Sequence, residues 1–138
     1  MKVEEINRLC RGTLIEHLNI EFTGYSEKHV EAVMRITPAH FQPAGTVHGG
    51  ALIALAESVG SAGSFLLVDP EQYQVFGAVV SSQHLAPARK GTLHAVATLV
   101  ARMEFKHVWD VEIRDDGGEL ISISRVTNSV KPKQEGTV

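Results

Sequence analysis

FQPAGTVHGGALIALAESVGSAGSF, residues 41–65, begins as a loop marked by proline and glycine and continues as a run of small and apolar residues. Its pattern predicts one long helix from near Gly49 to near Leu67, opened by the loop PAHFQPAGTVHGG at 38–50. A single carboxylate, Glu57, stands mid-helix among Leu55, Ala56, Ser58 and Val59. Its neighbours one turn away are Ile53, Ala54, Gly60 and Ser61, which do not make an exposed polar stripe. A helix that otherwise reads as buried therefore carries an acid. Such an acid is either paired or functional.

The flanks decide what the helix packs against. Upstream, residues 3–10 read as a short helix with Val3, Ile6, Leu9 and Cys10 on one side. Leu14, Ile15 and Leu18 lead into a strand around 19–25. In HVEAVMRIT, Val30, Ala32, Met34 and Ile36 alternate with Glu31, Val33 and Arg35, the period of a half-buried strand. Downstream, VFGAVVSSQHL, TLHAVATLVARME, HVWDVEIRD and ELISISRVTNSV are four strand-like runs, with DDGG at 115–118 a hairpin turn between the last two. Two strands, one long helix and four closely spaced strands predict an α+β fold in which an antiparallel sheet wraps the helix. The chain reads as one domain over 1–138, with a loose tail from about 131.

Composition narrows the function. The 138 residues carry a formal net charge of −3, giving no reason to expect nucleic acid. The single cysteine excludes an intramolecular disulfide, and the acidic N-terminus shows no apolar signal core. GALIALA is interrupted by Glu57 well short of a membrane span. A cytoplasmic protein with no membrane partner is the expectation.

The loop and helix offer specific chemistry. Helix N-termini present unpaired N–H groups and partial positive charge, and Gly49 and Gly50 leave that backbone open to a ligand. They make either a tight turn into the helix or a site that polarises a carbonyl. Ser61, one turn beyond Glu57, can bond a substrate or water, or simply permit close packing. Gln42 and His48 flank the loop and could orient substrate. His40 and His48 lack metal-ligand spacing, so no metal is expected. Cys10 reads as packing. In HLAPARKG, His84 opens a Pro-marked turn, and Arg89 and Lys90 are either solvated or phosphate-binding. Gly49 and Glu57 lie eight residues apart, a rise of roughly 12 Å. One helix cannot easily bring both to one carbonyl, whereas a two-fold dimer with antiparallel central helices can.

QPAGTVHGGALIALAESVGS, residues 42–61, resembles the motif of hotdog-fold acyl-CoA thioesterases of the phenylacetic-acid-degradation and 4-hydroxybenzoyl-CoA type. That resemblance implies the hotdog fold and hydrolysis of an acyl- or aryl-CoA thioester, with no cofactor beyond the CoA of the substrate. It implies Glu57 as nucleophile or general base and the Gly49 N–H as the group polarising the thioester, with Gln42, His48 and Ser61 as further site residues. Gly50, His84, Arg89 and Lys90 are the accompanying substrate-binding candidates. It also implies a homodimer, paired into a homotetramer. Where such enzymes commonly carry an arginine before the proline of the post-helix strand, this chain has Ala86. Arg89 and Lys90 are the substitutes, and an acyl-carrier-protein thioester is the alternative substrate. HFQP at 40–43 superficially resembles the His-Phe-Pro of hotdog dehydratases, but His40 and Glu57 are seventeen apart rather than fourteen. A hydratase or dehydratase and a non-catalytic acyl-CoA-binding protein are the rival readings.

Overall fold

The computed structural model describes residues 1–134. In chain order the elements are α1 (Val3–Leu9), α2 (Leu14–His17), β1 (Ile20–Ser26), β2 (His29–Arg35), α3 (Gly49–Leu67), β3 (Tyr73–His84), β4 (Thr92–Met103), β5 (Lys106–Arg114) and β6 (Leu120–Pro132). The strands form one sheet in the order β1-β2-β4-β5-β6-β3, every pair antiparallel. This is the hotdog arrangement: α3 is the filling, packed against the inner face of the sheet.

Local chemistry sets the ends of α3. His48 is its N-cap, its Nδ1 accepting the Gly50 N–H at 2.8 Å. At the other end Val68 turns extended, ahead of Asp69 and Pro70. Leu52, Leu55, Ala56 and Val59 face the sheet, and burying each leucine or valine contributes about 1.5–3 kcal/mol. Gly60 and Gly63 let the helix lie close, because a Cβ would meet Val126 at the first and the Trp109 ring at the second. The strand alternation read in β2 is present: Val30, Ala32 and Met34 are fully buried.

One buried polar cluster ties the helix to the sheet. Ser64 Oγ accepts from Trp109 Nε1 (2.9 Å) and Asn128 Nδ2 (2.8 Å), and its own proton faces His107 Nδ1 at 2.9 Å. Asn128 Nδ2 also donates to the Gly60 carbonyl, 3.0 Å away.

Two sequence expectations need correction, and one short helix adds to them. Strand β6 runs through Pro132, two residues into the expected tail, and Lys133 N bonds Gln72 O at 2.8 Å; residues 135–138 lie outside the described residues. Part of the apolar cluster before β1 is helical, as α2. Finally, α3 is long and apolar enough, by length and composition, to cross a membrane, because one acid in 19 residues does not interrupt it. Its apolar side is instead covered by the sheet.

Candidate active site

Glu57 is exposed, which answers the puzzle of an acid in a buried helix. The small residues of α3 cover both sides, but only one side is buried under the sheet. Ile53, Glu57 and Ser61 lie on the other. The carboxylate rests over β3 at Gly77, where a Cβ would stand 3.0 Å from Glu57 Cδ and Oε1. Among the described residues it has neither a hydrogen bond nor an ion pair. The Ser61 hydroxyl is likewise free, whereas Ser58 Oγ donates to its own helix at Ala54 O (2.6 Å). Glu57, Ser58 and Ser61 open onto a cleft of about 770 Å³ bounded by α1, α2, β1, α3 and β3. Three of the chain's five phenylalanines, Phe22, Phe65 and Phe76, and one of its two tyrosines, Tyr73, line it. Cys10 lines it too; burial pushes its thiol pKa up and disfavours the thiolate, which suits a wall rather than a nucleophile.

Gly49 belongs to a different cleft, of about 300 Å³, walled by Val47, Leu52 and His84–Ala88. The two clefts share no residue. The Gly49 N–H, at the first helical position, has no acceptor among the described residues. The Gly50 N–H is taken by His48, so the paired glycines expected to act together are not equivalent. A Cβ at Gly49 would lie 2.9 Å from His84 Nε2. His84 Nδ1 is 2.9 Å from Ser122 Oγ, which in turn donates to Gln83 O. That chain makes Nδ1 the donor and leaves the Nε2 lone pair toward Gly49.

The loop residues serve the backbone first. Gln42 Nε2 donates to Thr46 Oγ1 and its Oε1 accepts the Ala44 N–H, both at 2.6 Å, closing the turn before α3. His40 is buried with both ring nitrogens used: Nδ1 accepts the Thr37 N–H (3.0 Å) and Nε2 donates to Leu18 O (2.6 Å). Arg89 and Lys90 are exposed and without partners among the described residues; they follow Ala88, in the wall of the Gly49 cleft, and Ala86 lies in that same wall. The candidates thus divide into Glu57 with Ser61 on one side, and Gly49 with His84 on the other, adjoining Arg89 and Lys90.

A sequence profile described as the thioesterase superfamily matches residues 44–122. The chain belongs to the thioesterase superfamily. It is 33% identical over 128 residues to the 1,4-dihydroxy-2-naphthoyl-CoA hydrolase of Escherichia coli, covering 93% of each chain. A solved structure of a mutant of thioesterase PA1618 from Pseudomonas aeruginosa superposes with a TM-score of 0.93 at 34% identity, covering 96% of both chains. Thioesterase HI1161 from Haemophilus influenzae gives 0.91 at 35%, covering 96% of this chain and 92% of its own. The PaaI protein of the E. coli phenylacetic acid degradation operon, 18% identical, shares the fold, with a TM-score of 0.81 and coverage of 91% of this chain and 90% of its own. The hotdog architecture and the thioester-hydrolase class expected from residues 42–61 both stand.

Sequence reasoning missed Gly77 and the aromatic walls of the Glu57 cleft. A glycine inside the apolar run VFGAVV was the available signal, since glycine in a strand often marks a close approach. The aromatic residues come from three separate elements, β1, α3 and β3, and no local pattern joins them.

Proposed function

We propose that this thioesterase hydrolyses an acyl or aryl thioester of coenzyme A in a site assembled from two copies of the chain. One observation carries the reading. The partnerless carboxylate of Glu57 and the free N–H of Gly49 open onto separate clefts of a single chain. A site needing both must draw them from two chains.

The edge strand supports this arrangement. None of the twelve residues of β3 is buried, and Phe76 (49% exposed) and Val79 (58%) stand open beside an unpaired strand edge, the kind of surface that pairs with another chain. An antiparallel pairing of two β3 strands about an axis between Val80 and Ser81 sets Gly77 opposite His84 of the second copy. Residues opposite one another share a face. Gly77 and His84 both turn toward α3 in their own chains, the first to Glu57 and the second to Gly49. Glu57 of one copy then approaches Gly49 of the other.

In that site the Gly49 N–H hydrogen-bonds the thioester oxygen as charge develops on it. Glu57 attacks the carbonyl carbon, or takes a proton from a water that attacks it. Either route expels the CoA thiolate, which is protonated to the thiol, and water supplies the second oxygen of the product acid. Only side chains, backbone and water are used, so no cofactor enters. His48 holds the Gly49–Gly50 turn, Gln42 holds the preceding loop, Ser61 supports Glu57 or the water, and Arg89 and Lys90 meet the CoA phosphates. Aromatic lining and the aryl-CoA in the name of the E. coli relative favour an aryl group. The same reading carries the homotetramer and cytoplasmic location expected from the sequence, though the chemistry needs neither. It also sets aside the dehydratase alternative, because His40 has no free ring nitrogen for catalysis.

The test is a hydrolysis screen of purified protein over aryl- and alkyl-CoA thioesters, with release of free thiol as the readout. Turnover of aryl-CoA thioesters is expected. Binding without turnover across the panel would leave the non-catalytic reading standing instead.

A further inference from the structure

The turn DDGG, which the chemistry above does not use, reaches the loop that carries Arg89 and Lys90. Its two aspartates divide the work. Asp115 closes its own turn, with Oδ1 accepting the N–H groups of Gly117 (3.0 Å) and Glu119 (2.9 Å). Asp116 points away, across to the start of β4. Its Oδ2 accepts the Thr92 N–H at 3.1 Å and its Oδ1 lies 2.8 Å from His94 Nε2. Between these contacts and the two cations sits Gly91, at φ +83°, where a Cβ would collide with Asp116 Oδ2. Glycine is required there twice over, by its backbone angle and by the carboxylate.

The loop is tied at both ends and free in the middle. Ala88 O accepts the Val47 N–H and Gly91 O accepts the Ile36 N–H, each at 2.9 Å, leaving only Arg89 and Lys90 to project. The Ala88 tie also links the loop to the residue just before the α3 cap. On the far side, Arg114 Nη1 donates to Gly118 O at 3.0 Å and fixes the β5–β6 turn that presents Asp116. The Asp116 carboxyl is held below the usual carboxylate range, first by the His94 hydrogen bond and then by the Thr92 N–H, so it stays an acceptor.

We propose that Asp116, with His94, is a positioning residue for the carrier half of the substrate: by pinning Thr92 beside Gly91 it fixes the two-residue span from which Arg89 and Lys90 meet the CoA phosphates. It touches no substrate and no reacting atom. The proposal rests on the reading of Arg89 and Lys90 given above. It predicts a defect that follows the carrier rather than the acyl group, because contacts to a remote phosphate stabilise ground and transition states alike.

The experiment measures KM and kcat for one aryl group carried on CoA and on N-acetylcysteamine, which lacks phosphates. The variants are Asp116→Ala, His94→Asn, the pair Arg89→Ala with Lys90→Ala, and all of the first and third combined. Asp116→Ala is expected to raise KM for the CoA substrate about three- to tenfold relative to KM for the short thioester, with kcat within about twofold. His94→Asn keeps the Thr92 bond and should shift the ratio the same way but less; it stands in if Asp116→Ala does not fold. On the Arg89→Ala, Lys90→Ala background the Asp116 effect should vanish, because one network is then already broken. Equal losses on both carriers would reduce Asp116 to a structural tie and overturn the proposal. Should the double cation variant discriminate between carriers while the Asp116 and His94 variants do not, the positioning role alone falls. A double cation variant blind to the carrier removes the phosphate reading, and this proposal with it.

Discussion

Replacing Glu57 by glutamine exchanges one oxygen for nitrogen and removes the only charge on α3. The structure sets the size of the effect on each quantity. Glu57 is exposed and has no hydrogen bond or ion pair among the described residues, so the fold loses no interaction. A change of this kind stays within about 0.5 kcal/mol of stability, a Tm shift of about 2 °C or less. On the proposed reading the apolar walls of the cleft hold the acyl group, and the Gly49 N–H is a backbone group. KM should therefore stay within about threefold. What disappears is the proton transfer or attack, and its loss lowers kcat by at least about a hundredfold, equivalent to about 2.7 kcal/mol of barrier. Initial rates of thiol release from an aryl-CoA, measured with thermal melting on the same preparation, give all three numbers. A variant that turns over at near the wild-type rate would remove Glu57 from the chemistry. One that loses activity together with ten degrees of Tm would make it a structural residue.

Four further outcomes follow from geometry elsewhere in the structure. Gly77→Ala sets a methyl 3.0 Å from the Glu57 carboxyl carbon, and the exposed side chain must swing aside; kcat should fall about tenfold with Tm and KM little changed, and an unaltered kcat would show that Glu57 does not work from this position. Val79→Lys on the open edge of β3 should give a monomer by sedimentation and abolish turnover, whereas an active monomer would contradict the shared site. Ser64→Ala strips the acceptor from Trp109 Nε1 inside the core, costing about 1–3 kcal/mol and several degrees of Tm. In the intact protein burial, and then Arg102, lower the His107 pKa, so the unfolded chain binds its proton first as pH falls. The His107 contribution is therefore complete above about pH 6.5, the ordinary histidine range, and declines as pH drops below it. His107→Gln should flatten that decline in urea titrations; an unchanged slope would assign it to other groups.

Much of this was legible in the residues. The bounds of α3 follow from the loop marked by proline and glycine before it and from the run of small and apolar residues, and β2 shows its buried face by simple alternation. The DDGG turn is local chemistry and forms where it was read. What failed to show was sidedness. Ala54, Ser58 and Ser61 on the open face of α3 resemble Ala56, Gly60 and Ser64 on the covered one, so hydrophobic periodicity could not say which face the sheet takes. Glu57 was singled out for the right contrast, yet it stands at a cleft rather than inside a core. Strand β3 is silent in the same way: VFGAVVSSQHL shows an apolar strand-like run but not its place in the sheet, and the fold leaves Val75, Phe76, Val79 and Val80 on an edge strand. The division of labour between Gly49 and Gly50 depends on which N–H the His48 ring takes, a question of geometry that the letters do not carry.

The central claim, one thioesterase site built from two chains, is tested most directly by mixing two dead variants. Glu57→Gln lacks the carboxylate. Gly49→Pro lacks the N–H at the first helical position; its backbone suits proline, but its Cβ must push the His84 ring aside, so its folding and dimerisation are checked by thermal melting and native mass spectrometry. Each alone should be inactive. Co-expressed and re-paired at random, about half the dimers hold one chain of each kind, and every such dimer has one intact site out of two. The account predicts recovery of about a quarter of wild-type activity, with the mixed dimer confirmed by native mass spectrometry. Mixed dimers present in that proportion but without activity would place Glu57 and Gly49 in the same chain's site and contradict it.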